Sequence, residues 1–176
     1  MTNERGFSLS ELLVALVLIA MIMTGLWTIQ QQGQQAYLFG QSRVEAQQNA
    51  RVALDRLTTE LRSATSITTA TSCDTGSNDI TFVDQNGTSL RYDLSGTNLR
   101  RYVSTATPDA DSVVIGSVVS LTLTCYASDG TTATATAASI RSIKISITSK
   151  TDEANASYTG GNQYAVMETR VRLRNL

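Results

Sequence analysis

Few residues in this 176-residue sequence could do chemistry. Histidine is absent, which excludes imidazole acid–base catalysis, histidine metal sites and any Ser-His-Asp triad. No Ser-Lys or paired-carboxylate motif stands out either, so an enzyme is not expected. Four sets of residues remain. Glu11 is a carboxylate set in an otherwise apolar run. Cys73 and Cys125 are the two thiols. Asp109 and Asp111 form an Asp-x-Asp pair. Arg170, Arg172 and Arg174 alternate with apolar residues towards the C-terminus. Asp-x-Asp supplies too few of the six to eight oxygens that calcium takes, so it reads as a solvated turn and no metal or cofactor is expected. The arginine row reads either as a solvated, edge-protecting strand face or as a contact for phosphates or a neighbouring subunit.

Glu11 is the most informative of these because of its surroundings. From Leu12 to Ile29 the chain carries no charge. A bilayer core of about 30 Å needs roughly 20 mostly apolar residues, and Phe7 to Ile29 is long enough. A carboxylate at the centre of such a helix costs about 2.5–3.5 kcal/mol, and less near its end. Either Glu11 faces headgroups at the interface, or it has a positive partner. The run is longer than the ~7–15 residues of a secretory signal, and no small-x-small cleavage site follows. Gln30, Gln31, Gln32, Gln34 and Gln35 follow instead, and the polar leader MTNERG precedes it.

Gly6-Phe7-Ser8-Leu9-Ser10-Glu11, followed by the apolar run, resembles the cleavage and methylation signature of type IV pilins and pseudopilins. The resemblance implies that a prepilin peptidase cuts between Gly6 and Phe7 and methylates the new amine of Phe7. Glu11 is then the fifth residue of the mature chain, where the family keeps a glutamate that meets a neighbouring subunit's N-terminal amine during assembly. The physics agrees, since assembly neutralises a charge otherwise costly in lipid. Ser10 departs from the pattern, standing where the family usually has an aliphatic residue. Gln47 to Ala64 is similar to the corresponding helix of PilW-type minor pilins and J-type pseudopilins.

Net charge is −1 and pI about 5.4, so no basic excess marks a nucleic-acid partner. Arg5 precedes the apolar run, and no Lys or Arg follows it until Arg43. That asymmetry favours a cytoplasmic N-terminus and a head outside, where disulfides persist. Cys73 and Cys125 are then either a disulfide or two separate buried thiols. A bridge closing a loop of about 50 residues contributes about 4 kcal/mol in the chain-entropy account.

Elements follow from periodicity. Gln30 to Ala64 lacks proline, and Tyr37, Gly40, Val44, Ala50, Leu54, Leu57, Leu61 and Ala64 make a stripe at steps near three and four, broken at Gln47. One helix from Phe7 to about Ala64 is expected, with Arg51–Asp55 and Arg56–Glu60 pairs on its outer side. Gly25 is either a bend or an aid to close packing. Thr65 to Asn78 reads as a loop. Asp79 to Val103 reads as a three-stranded meander turning at Asn86-Gly87. Val113 to Tyr126 reads as one strand with Val119, Leu121, Leu123 and Cys125 inward. Ile140 to Ser149 and Tyr164 to Arg174 read as two more strands, with a Thr/Ala tract and a Gly160-Gly161 loop between elements.

The expected fold is α+β: a long helix whose second half packs on an antiparallel sheet of about six or seven strands. The expected division is a leader at 1–6, a transmembrane or filament-core helix at 7–29, an amphipathic helix at 30–64 and a β-rich head at 65–176. The resemblance implies a minor pilin that waits in the inner membrane with its head in the periplasm. It then joins other pilins to initiate, cap or decorate a pilus. A J-type pseudopilin of a type II secretion system, or an adhesive or DNA-binding tip module, is the alternative.

Overall fold

The computed structural model describes residues 8–69, 72–109, 112–151 and 163–174. Among the described residues, one α-helix and eight strands make the fold. Helix α1 runs Leu9–Ser63. Strands β1 (Ser66–Thr69), β2 (Asp79–Val83), β3 (Ser89–Ser95), β4 (Asn98–Val103) and β5 (Val113–Ile115) form one antiparallel sheet in that order. Strands β6 (Val118–Tyr126), β7 (Ser142–Lys150) and β8 (Tyr164–Arg172) form a second. The architecture is α+β and pilin-like. Two compact units divide it, Met1–Gly40 and Gln41–Leu176.

Within the second unit the helix buries Ala46, Ala50, Ala53, Leu54, Leu57, Thr58 and Leu61. This stripe begins later than the expected one, since Tyr37 is 72% and Val44 51% exposed. It runs unbroken because Ala46, not Gln47, continues the steps of three and four. The Ser149 hydroxyl donates to the Ala46 carbonyl at 2.5 Å, which ties the start of the stripe to β7. Facing it are Ile80, Phe82, Tyr92 and Leu99 from one sheet and Leu121, Leu123, Ile143, Ile145 and Ile147 from the other. Phe82 and Tyr92 stack at 6.2 Å between centroids.

A charged latch adds direction to this packing. Arg101 Nε donates to both Glu60 carboxylate oxygens at 2.8 Å, and Arg56 lies 3.6 Å from the same group. Glu60 sits on the helix and Arg101 on β4, so the pair fixes which part of the helix meets which strand. Burial, followed by the Glu60 charge, keeps the Tyr92 phenol protonated well above its ordinary value. The expected Arg51–Asp55 pair is present at 3.7 Å and exposed, where such pairs contribute little.

Three expectations are corrected. The loop read from Thr65 contains β1, which pairs with β2 through Ile67 and Phe82. The single strand read from Val113 to Tyr126 is two strands in different sheets. Ser117 between them has a φ of 60°, a left-handed conformation that breaks an extended run, and so the single sheet expected becomes two. Val119 is 44% exposed rather than inward, because a bulge between Val118 and Ser120 shifts the register and buries Val118. The remaining inward set, Leu121, Leu123 and Cys125, is buried.

The turns read from sequence behave as their residues dictate. Asp84 accepts from the N–H groups of Asn86 and Thr88 at 2.8 Å each, and Gly87 takes a φ of 80°. The segment Cys73–Ser77 lies beside β6: Ser77 and Leu123 exchange backbone bonds of 2.9 and 2.7 Å, and Cys125 N–H donates to Cys73 O at 2.8 Å. Gly76, at φ 109°, is required there, since a Cβ would meet Thr122 at 3.0 Å.

Candidate functional site

The start of α1 is built by three polar side chains. Ser8 is the residue before the helix, and its hydroxyl accepts from the Glu11 N–H at 3.3 Å. Glu11 reaches back: one of its carboxylate oxygens accepts from the Ser8 N–H and the Ser8 hydroxyl, each at 3.0 Å. This is a reciprocal capping box, and it satisfies donors that a helix start leaves unpaired. Ser10 joins by a 3.0 Å hydroxyl bond to Ser8. The departure from the aliphatic pattern at Ser10 thus has a local partner. The cap was missed in the sequence, although Ser-x-x-Glu before an apolar run is its signal. Gly6 and Phe7, the expected cleavage and methylation positions, lie outside the described residues, as does Asp111.

Beyond Glu11 the helix carries no charge until Arg43, and its apolar run from Leu12 to Ile29 has no side chain buried against this chain. Between Leu9 and Ile29, fourteen large apolar side chains are each more than half exposed. At about 1.5 kcal/mol or more per buried side chain, leaving them in water would cost more than ~20 kcal/mol. That exceeds the roughly 5–15 kcal/mol that holds a typical domain together. The segment therefore needs a bilayer or other apolar helices around it. Its polar atoms are compatible with either: Thr24 Oγ1 donates to Ala20 O at 2.8 Å and Thr28 Oγ1 to Thr24 O at 2.9 Å, so no hydroxyl is left unpaired in hydrocarbon. Trp27 stands near the end of the run, where an amphipathic ring suits a membrane interface.

The second site read from sequence is the cysteine pair. Cys73 and Cys125 are joined in a disulfide, 5.2 Å apart at Cα and 52 residues apart in sequence, and both are fully buried. The bridge pins the chain leaving α1 and β1 to strand β6. Asp109, the described member of the Asp-x-Asp pair, accepts from the Ser112 N–H at 3.0 Å.

The family described as the prokaryotic N-terminal methylation motif matches residues 1–27. No curated protein matches the chain. The chain thus carries a type IV pilin-like N-terminal signature on a pilin-like α+β fold. The motif implies processing by prepilin peptidase and assembly with other pilins, and it speaks for a structural subunit rather than an enzyme. The apolar helix and the motif together fit an inner-membrane-anchored pilin-like protein.

Proposed function

We propose that this chain is a minor pilin of a type IV pilus, cut between Gly6 and Phe7 by prepilin peptidase and methylated on the Phe7 amine. The carrying observation is the coincidence of the methylation motif at residues 1–27 with an apolar run, Leu12 to Ile29, that carries no charge and buries nothing within its own chain. The divisions 1–6, 7–29, 30–64 and 65–176 serve as leader, filament-core helix, connecting amphipathic helix and head. Glu11 sets register by meeting the amine of a neighbouring subunit. Its capping bonds use one carboxylate oxygen, leaving the other to accept from that amine.

Before assembly the protein spans the inner membrane with its head in the periplasm. Its work there and in the filament is architectural: to initiate, cap or decorate. Replacing Glu11 by Ala is expected to leave insertion and cleavage intact and to remove the protein from sheared pili, measured by immunoblot of the filament and membrane fractions. Incorporation of Glu11→Ala at the wild-type level would refute the role given to this carboxylate. A J-type pseudopilin shares the same N-terminal features. Deletion that abolishes secretion of a folded periplasmic substrate and spares piliation would assign the chain there instead.

A further inference from the structure

One end of the β6–β7–β8 sheet gathers cations that the assembly account does not use. Arg141 precedes β7, while Arg170, Arg172 and Arg174 alternate along β8 and just past it. Strand pairing brings them together: Ser142 is opposite Arg172, Lys144 is opposite Arg170, and Leu173 N–H donates to Arg141 O at 2.9 Å. Ser128, Arg141, Arg172 and Arg174 line one cleft. Arg141 and Arg172 also line the adjoining cleft, where Arg170 and Asp129 lie.

The pairing of these cations differs from that in the other sheet. There Arg91 holds Asp79, Arg100 holds Asp93 and Arg101 holds Glu60. Among the described residues, none of the four arginines at the β8 end has a carboxylate partner. Two are fixed by neutral groups. Arg170 lies 4.3 Å over the Tyr126 ring and donates to Ser142 Oγ at 2.8 and 3.1 Å and to Gly130 O at 2.6 Å. Arg141 donates to Ala138 O and Ile140 O at 2.8 Å each. Neutral acceptors orient a guanidinium and leave its charge uncompensated. Asp129, the acid nearest in the loop, accepts from the Thr131 and Thr132 N–H groups at 3.0 Å each and from the Thr132 hydroxyl. Edge protection alone would account for charges on β8, but not for Arg141, which lies outside it.

Charge balance indicates the ligand. A single carboxylate takes one guanidinium in a two-pronged bond and leaves the others unmatched. A phosphate carries nearly two charges at neutral pH and three strong acceptor oxygens, and planar guanidinium forks match its geometry. We propose that the Arg141–Arg172–Arg174 cleft, supported by the fixed Arg170, binds a dianionic phosphate group. Free phosphate and a phosphomonoester on a larger molecule share this chemistry. The site is independent of the assembly reading and stands or falls apart from it.

The test uses the full chain in detergent micelles, titrated with inorganic phosphate while chloride holds ionic strength constant. The readout is the arginine Nε–H resonances and the thermal midpoint. Saturable shifts of a small set of arginine resonances are expected, with affinity falling about tenfold or more in R172Q/R174Q, as loss of charge-assisted forks requires. An R43Q/R62Q control removes two cations elsewhere and should leave the affinity unchanged. Shifts that fail to saturate, or equal binding by R172Q/R174Q, would overturn the proposal. Competition by glycerol 3-phosphate at similar concentration supports a site open to tethered phosphates. Binding of inorganic phosphate without such competition supports a site for the free ion.

Discussion

Leu16 and Leu57 are the same residue type in the same helix, yet Leu16 is 55% exposed and Leu57 fully buried. The difference lies in what surrounds each. Leu57 belongs to a stripe bounded by charged residues, with Arg56 exposed beside it and Glu60 reaching across to Arg101 on β4, and the two sheets of the head cover it. Leu16 has apolar neighbours on every side of the helix. A helix that is apolar all round has no solvent face, so its burial must come from outside the chain. One element therefore serves two purposes: the second part stabilises the head and the first part is kept for a membrane and for neighbouring subunits.

Several substitutions would break or sharpen this contrast. Replacing both cysteines by serine should lower head stability by about 4 kcal/mol, measured by urea unfolding of the detergent-solubilised chain, with little effect on membrane insertion. Leu57→Ala should cost about 2–5 kcal/mol in the same assay. Leu16→Ala should leave the head transition unchanged, and an equal loss from both would end the contrast. Glu60→Gln should cost about 1–2 kcal/mol, because it leaves the half-buried Arg101 without its charged acceptor. Ser8→Ala removes the helix cap and should cost roughly 1 kcal/mol of local helix stability, visible as faster amide exchange near Glu11 and nowhere in the head.

The smallest effect expected is on pH dependence, and it belongs to the head alone. The Thr88 N–H, and then Asn86, hold the Asp84 carboxyl below its ordinary value of 3.8. A folded value below the unfolded one means that the contribution is complete above the ordinary value and is lost as pH falls through the folded value. The urea midpoint should therefore drop as pH falls below the ordinary value of 3.8, and Asp84→Asn should make that drop shallower.

Much of this architecture was legible in the sequence because it follows from local chemistry. Proline-free periodicity marked α1, Asn86-Gly87 marked its turn, and alternation placed Leu121, Leu123, Cys125, Ile143, Ile145 and Ile147 inward. What escaped depends on backbone geometry or distant partners. Gly116-Ser117 inside the β-branched run is a turn signal that the reading of one strand passed over, and the positive φ of Ser117 sends β5 and β6 into different sheets. The Val118–Ser120 bulge reverses Val119. Strand β1, Ser-Ile-Thr-Thr, has one buried large apolar residue, Ile67, and gains its identity from pairing with β2. The Glu60–Arg101 latch joins residues 41 apart, beyond any local pattern. At the candidate site the carboxylate was conspicuous because charge is rare in an apolar run, whereas Ser8 was read only as part of the Gly6-to-Glu11 signature and not as a helix cap.

The central claim is that the first part of α1 is a processed filament-core helix. Its most direct test is mass spectrometry of the N-terminus of the membrane-inserted protein, in cells with and without an active prepilin peptidase. The account predicts a chain beginning at N-methylated Phe7 when the peptidase is present, and an uncut chain beginning at Met1 when it is absent. An uncut chain in the presence of an active peptidase would contradict it, and would leave a membrane-anchored α+β head with no route into a filament.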